Sequence, residues 1–441
     1  MPAFNSLPGF REFYPEDQAI QNHIFDTWRK TATGFGFQEW EAPVLEPLEL
    51  FTEKSGEEIV RQLFNFEDKG GRKVSLRPEM TPSLARLAAA RAGSLRRPVK
   101  WFAIGENFRY EKQQRGRLRS FYQFNADILG ESGPAADAEA IALAIESLRA
   151  FGLGETDFRV RLSDRTLWFL FLQSIGIPEE CAAATLAVVD KLERLQPDDL
   201  LKAMEEALAG SPANPAEALA RIRGFVAQDS LEKLAAFFAG SGPVSEGIQP
   251  RLADWSALLE RLAAFGLSDF ISVDMTIVRG LAYYTGFVFE VFERDGDGRA
   301  LAGGGRYDAL VKKLGGPDMP ATGFGMGDVT LRNLLEAKNL LPAPPSGPDY
   351  YAIALAPECR SASLAGVAAL RRAGIRADYS FKEGRFGKLI QAAEQAGAKN
   401  VLIYGPDELA AGVVKIRNTG TRAERTIPIA SLVPELTKTF P

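Results

Sequence analysis

The 441-residue chain is 46% apolar and 25% charged, which excludes a disordered protein and suggests two or three domains. Its two cysteines, Cys181 and Cys359, form no CxxC pair and its one histidine is His23, so the sequence argues against a disulfide framework, a thiolate or His-ligated metal site, and Ser-His-Asp or Cys-His catalysis. The net charge of −5 argues against general coating of nucleic acid. However, residues 96–119 carry 8 Lys/Arg against 2 Glu and residues 349–441 carry 13 Lys/Arg against 9 Asp/Glu, two local basic surfaces suited to a polyanion.

From the N-terminus, no apolar run of signal-peptide length occurs, and no stretch approaches the roughly 18 apolar residues of a membrane span. A soluble, cytoplasmic protein is expected, with neither membrane nor DNA as partner. Ile20, Ile24 and Trp28 recur at helical spacing and predict an amphipathic helix over 17–34, with His23 as a structural residue on it. Between about 37 and 130, short apolar or alternating segments separated by turn signals, with one helical stretch (SLARLAAARAG), predict a largely antiparallel sheet flanked by helices. Ala, Leu and Glu at helical periods then predict helix over 134–152 and a helical insertion over about 170–255.

Strands are expected again over 270–293. VRGLAYYTGFVFE and LAGGGRYD read as strand, glycine turn and strand, bringing Arg279, Tyr283, Tyr284 and the glycines 303–305 together. Bare backbone allows close approach and tyrosines give flat walls with polar tips, which suits a small zwitterion. GFGMGDVTLRNLLEA opens a helix near Asp328, and the proline-rich stretch 341–348 is a linker. Beyond it, YYAIALAP, IRADYSF and NVLIYG alternate with helical segments, which implies a small α/β domain over 349–441 with a mainly parallel sheet. The fold class is therefore α/β overall, with an α+β first domain over 1–340.

In FRYEKQQRGRLRSFYQFNADILG (108–130), alternation places Arg109 and Glu111 opposite Phe108 and Tyr110. It likewise places Gln123, Asn125 and Asp127 opposite Tyr122, Phe124, Ala126 and Ile128. One face of this hairpin packs, and the other displays mixed charge beside a basic loop.

This hairpin resembles motif 2 of the class II aminoacyl-tRNA synthetases. With RGLAYYTG and GGGRYD, the whole chain resembles the histidyl-tRNA synthetase family, the C-terminal part (GRFGKLIQAAEQAGAKNVLIYG, GVVKIRN) resembling its anticodon-binding module. The resemblance implies ligation of L-histidine to tRNA(His) through a histidyl-adenylate, with ATP as substrate, Mg²⁺ as its companion, and a homodimer whose interface includes the segment around Pro43. In LRPEMT, Glu79 would take the substrate ammonium with Thr81. Gln123, Asp127, Tyr283, Tyr284 and Gly304 would complete the histidine pocket, with Asp127 and Tyr284 on the ring nitrogens. Arg109 and Arg279 would be the catalytic cations on the α-phosphate; Glu111, Arg117 and Phe121 would complete the ATP site, Phe121 stacking on adenine. Gln114 and Arg115, with Arg117, would meet the tRNA acceptor end. No protein metal site is implied.

Three positions depart from the family's wording. Ala282 stands for an acid, Asp127 for a glutamate, and Thr330 for the motif 3 arginine that meets the γ-phosphate. Arg332 is two residues on, about 200° around a helix, so Arg117 and Arg119 become the nearest replacement cations. The alternative reading is an inactive paralogue that regulates histidine biosynthesis or binds RNA.

Overall fold

A computed structural model describes residues 4–52, 60–112, 116–192, 194–239, 247–278, 283–294, 299–343 and 347–437. The strands of the first part are β1 (Gln38–Glu39), β2 (Leu45–Pro47), β3 (Asn65–Glu67), β4 (Lys73–Leu76), β5 (Val99–Phe108), β6 (Ser120–Leu129), β7 (Phe158–Asp164), β8 (Ile271–Val273), β9 (Phe287–Glu293), β10 (Ala300–Arg306) and β11 (Ala321–Gly327). Eight of them form one sheet in the order β1-β5-β6-β11-β10-β9-β7-β8, while β2-β4-β3 form a small second sheet. The six inner strands of the large sheet pair antiparallel, and the short edge strands β1 and β8 pair parallel.

One face of this sheet is sealed by helices. Phe124, Ala126 and Ile128 of β6 point into the main core, where Trp28 of the helix Pro15–Gly34 stacks on Phe124 at 5.5 Å between ring centroids. Next to them lies the helix Pro134–Arg149, whose run of Ala, Ile and Leu is almost wholly buried because it packs on both sides. Truncating a buried ring such as Phe124 would cost roughly 3–5 kcal/mol.

Sequence reading assigns no element to 153–164, yet the structure has β7 there. Phe158, Val160 and Leu162 are buried and alternate with Arg159 and Arg161, a period-2 pattern obscured by its short length between two helical stretches. From Asp164 the chain enters helices at Arg165–Ser174, Glu179–Val189, Pro197–Ala207, Pro215–Val226, Leu231–Ala239 and Ile248–Ala264. Asp164 caps the first of these by accepting from Leu167 N, and its other oxygen accepts from Arg251 Nε at 2.5 Å and Trp255 Nε1 at 2.8 Å. Trp168, Phe171, Phe225 and Phe238 pack together there, and their core is continuous with that of the sheet.

The chain divides into two compact units, residues 1–342 and 343–441. In the second, β12 (Tyr350–Ala354), β13 (Ala377–Tyr379), β14 (Asn400–Tyr404), β15 (Val413–Asn418) and β16 (Glu424–Pro428) form a sheet in the order β13-β12-β14-β15-β16, with helices at Arg360–Arg372 and Phe386–Gln395. The expectation of a mainly parallel sheet needs correction. β12 pairs parallel with β13 and β14, but β14-β15 and β15-β16 are antiparallel. The one-turn helix Pro406–Ala410 is too short for a crossover and returns β15 antiparallel to β14, and a hairpin after Asn418, whose side chain accepts from Thr421 N at 2.8 Å while Arg422 takes a positive φ of 60°, returns β16.

Candidate functional site

On the open face of the large sheet, the polar row of β6 lies beside a row of glycines on β11. Asp127 is paired with Gly323, Asn125 with Gly325 and Gln123 with Gly327. These glycines are required by space: a Cβ on Gly323 would stand 2.1 Å from Asp127 Oδ1, and one on Gly325 2.3 Å from Gln123 Nε2. The glycines of β10 are likewise inside a strand, not in a turn as sequence reading expects, and Gly304 meets Gly323 O and Phe324 across to β11. Alternation then puts Gly303, not Gly304, on the pocket. The expected pocket glycine is corrected by one residue.

The pocket is lined by Glu79, Thr81, Arg109, Gln123, Asn125, Asp127, Tyr283, Tyr284 and Tyr307 over the floor of Gly303, Gly323, Phe324 and Gly325. Its far end is closed and desolvated. Tyr307 donates its hydroxyl to Asp127 Oδ1 at 2.6 Å, and Tyr283 donates to Glu79 Oε2 at 2.7 Å. Asp127 Oδ2 is buried without a hydrogen-bond partner among the described residues. Burial pushes the Asp127 carboxyl up to about 7, and the Tyr307 hydroxyl restrains that rise. Burial first, then neighbouring carboxylates, raise the hydroxyls of Tyr283, Tyr284 and Tyr307, so all three remain donors.

Two arginines outside the pocket position these groups. Arg77 is buried and ties the segment carrying Glu79 to the sheet, donating to Ala42 O at 2.9 Å and Glu106 O at 2.9 Å and pairing with Glu41 at 2.5 Å. Arg306 pairs with buried Asp137 at 2.7 Å and donates to the carbonyls of Glu131 and Gly133, which aims Tyr307 inward. Removing one partner of such a buried pair costs roughly 3–5 kcal/mol.

The other end of the pocket is cationic. Arg109 lies just beyond β5, where its Nε donates to Pro78 O at 2.9 Å and its guanidinium sits 5.4 Å from the Phe121 ring centre. Glu111 pairs with Arg117 at 2.9 Å. Arg119, expected as a replacement cation, instead lies over the Tyr110 ring at 4.1 Å, and its aliphatic stem packs on Gly9. Arg332 pairs with Asp17 at 2.6 Å, away from Thr330. Arg279, Ala282, Gln114 and Arg115 lie outside the described residues.

The structure thus brings Glu79, Thr81, Arg109, Gln123, Asp127, Tyr283 and Tyr284 to one pocket. It adds Asn125, Tyr307 and Phe324, which sequence reading did not select as site residues. Asn125 was legible from its place between Gln123 and Asp127. Tyr307 is present in GGGRYD, but its reach to Asp127, 180 residues away in the chain, depends on β11 pairing with both β6 and β10.

Residues 9–330 match the family model described as histidyl-tRNA synthetase. The chain belongs to the histidyl-tRNA synthetase family. Residues 352–439 match the model of an anticodon binding domain. The chain is 53% identical to the histidine–tRNA ligase of Opitutus terrae, covering 97% of each, and 38% identical to that of Halobacterium salinarum, covering 97% of this chain and 96% of the relative. The crystal structure of histidyl-tRNA synthetase from Nostoc superposes with a TM-score of 0.81 at 25% identity, covering 100% of both chains. The match runs through the second unit as well as the first, and nothing in it favours the inactive paralogue.

Proposed function

We propose that the chain ligates L-histidine to tRNA(His) in two steps, forming a histidyl-adenylate from histidine and ATP with Mg²⁺. The observation that carries this reading is the buried Asp127 oxygen aimed at the pocket without a partner among the described residues. An imidazole N–H satisfies it, whereas an apolar side chain of similar size leaves it unpaired, a difference that supports discrimination of ~10⁴–10⁵. Tyr284 would meet the other ring nitrogen, and Gln123 would close the pocket over the ring. Glu79 and Thr81 would hold the substrate ammonium.

In the first step, a carboxylate oxygen of histidine attacks the α-phosphorus of ATP as the bond to the bridging oxygen of pyrophosphate breaks. No side-chain base is needed, because the nucleophile is already ionised. Arg109, with Arg279, would neutralise the charge growing on the α-phosphoryl oxygens, and its planar fork suits that work. Phe121 would stack on adenine. Glu111, beside Arg117, would meet Mg²⁺ carried in on the phosphates, whose charge offsets that of the departing pyrophosphate.

In the second step, a hydroxyl of the tRNA terminal ribose attacks the histidyl carbonyl and AMP leaves. Gln114, Arg115 and Arg117 would guide the acceptor end, and the domain over 349–441, beyond the 341–348 linker, would take the anticodon arm, while 1–340 carries catalysis. A homodimer in the cytoplasm is the working form. The exposed Val44 and Leu45, next to Pro43, support an interface there.

Incubating the full chain with labelled histidine, ATP, Mg²⁺ and tRNA(His) should yield acid-precipitable histidyl-tRNA. Histidine binding without any charging would instead support a regulatory paralogue.

A further inference from the structure

The helical insertion is tied to the chain that carries the pocket tyrosines. Its first helix, Arg165–Ser174, begins where β7 ends, and side chains of its first turn reach outward. Thr166 donates its hydroxyl to Thr285 O at 2.7 Å, Trp168 donates Nε1 to Met275 O at 3.0 Å, and Arg165 N adds a bond to Gly286 O at 2.9 Å. Met275 and Thr285 flank Tyr283 and Tyr284 in the chain, so one helical turn holds that stretch from both sides. Threonine is a poor helix former, and in a helix otherwise rich in Leu and Phe it has a local cause. Asp164 already caps the helix, and the Thr166 hydroxyl bonds outward instead of to its own backbone.

Thr285 is the junction. Its carbonyl accepts from Thr166, its N donates to Arg306 O at 2.7 Å, and its Oγ1 accepts from Asp308 N at 3.1 Å. Tyr284 comes immediately before it and Tyr307 lies between Arg306 and Asp308, so these bonds set one tyrosine against the other. The Tyr283 ring lies 5.4 Å from that of Tyr284 and 5.7 Å from that of Tyr307. The last helix of the insertion, Ile248–Ala264, returns to the same place. Arg251 and Trp255 donate to Asp164, the Arg251 guanidinium lies 3.9 Å over the Phe287 ring, and the Trp255 ring is 5.3 Å from it. Phe287 is two residues beyond Thr285 and pairs with Asp164 across β7 and β9. Both ends of the insertion therefore close on the strand that presents the tyrosines, through side chains that do not line the pocket.

We infer that Thr166 is a positioning residue for the amino-acid pocket, and that the helical insertion acts through it on histidine affinity before any tRNA arrives. This rests on the histidine-activating reading above. Loss of the Thr166 bond frees Thr285 to shift, and with it Tyr284 and, through residues 306–308, Tyr307 and its bond to Asp127. A small shift suffices, because a hydrogen bond tolerates only a few tenths of an ångström and misplaced contacts act far from their source.

The test is histidine-dependent ATP–pyrophosphate exchange by the full chain without tRNA. Thr166→Val keeps the shape and removes the donor, and it should raise the KM for histidine ~5–100-fold, the scale of leaving a carbonyl unpaired, with the KM for ATP within about twofold. Thr166→Ala should match it, and Thr166→Ser, which restores the hydroxyl, should recover most of the loss. Arg251→Lys keeps the charge beside Asp164 but loses the planar fork, and should raise the same KM by a smaller factor. A histidine KM unchanged in Thr166→Val and Thr166→Ala would overturn the assignment. So would KM values for histidine and ATP rising together, or no recovery in Thr166→Ser, because either would mark a purely structural role. An unchanged histidine KM in Arg251→Lys would overturn the part given to the insertion. Absence of exchange in the unaltered chain would overturn the proposed function itself.

Discussion

The two ends of the glycine-floored row are built on opposite physical terms. At the Asp127 end the polar groups are buried, fixed to one another by short hydrogen bonds and removed from water. At the cationic end Arg109 and Arg117 lie outside the strands, and Arg117 keeps 47% of its side chain exposed. Under the proposed function, selection is concentrated where an unpaired group costs most, and the nucleotide would be held where charge is abundant and partly screened. The difference teaches that specificity and affinity need not share residues in one site.

The comparison can be broken most sharply at Asp127. Asp127→Asn keeps the volume but replaces an acceptor by an amide, and it should lower kcat/KM for histidine activation ~10³-fold or more, read by pyrophosphate exchange. Stability should move the other way. The folded carboxyl is raised to about 7 from an ordinary value near 3.8, so the unfolded chain releases its proton first and the wild type loses stability as pH rises between those values. At about 1.4 kcal/mol per tenfold change in proton affinity, the penalty is on the order of 4 kcal/mol above pH 7. Denaturant unfolding should show Asp127→Asn gaining on the wild type from pH 4 to pH 8; a constant difference would contradict the buried-charge account.

Tyr307→Phe sharpens the same end by a smaller step. Losing the donor to Asp127 Oδ1 should raise the KM for histidine ~10-fold at pH 7 and push the carboxyl higher still, so that activity recovers partly at pH 8.5. No pH-dependent recovery would mean that Tyr307 acts only by packing. The smallest effect belongs to the exposed end. Arg117→Ala should raise the KM for ATP only ~2–5-fold, with the difference fading in high salt, whereas the Tyr307 effect should be indifferent to salt. A salt-insensitive Arg117 effect would erase the distinction between the two ends.

Much of this was legible in the chain. The alternation of 120–129 separates Gln123, Asn125 and Asp127 from Phe124, Ala126 and Ile128, and the structure keeps that separation because one face must seal the core. The glycines 303–305 read as a turn, since a glycine cluster signals either a bend or a close approach, and only the β11 backbone across from them distinguishes the two. β7 escapes notice because its alternation spans only a short segment between two helical stretches. Tyr307 could not be placed from sequence, because Asp127 is brought near it only by β11 pairing with both β6 and β10. The antiparallel half of the second sheet is hidden for a different reason: β15 and β16 follow a one-turn helix and a turn at Asn418–Arg422, and the strand–helix rhythm of 350–404 does not extend to them.

The central claim is that a buried carboxylate selects the amino acid, and pyrophosphate exchange by the unaltered chain, without tRNA and with each of the twenty amino acids in turn, tests it most directly. Histidine should support exchange at least ~10⁴-fold above any other amino acid in kcat/KM. Comparable exchange with glutamine, asparagine or an apolar amino acid would contradict it.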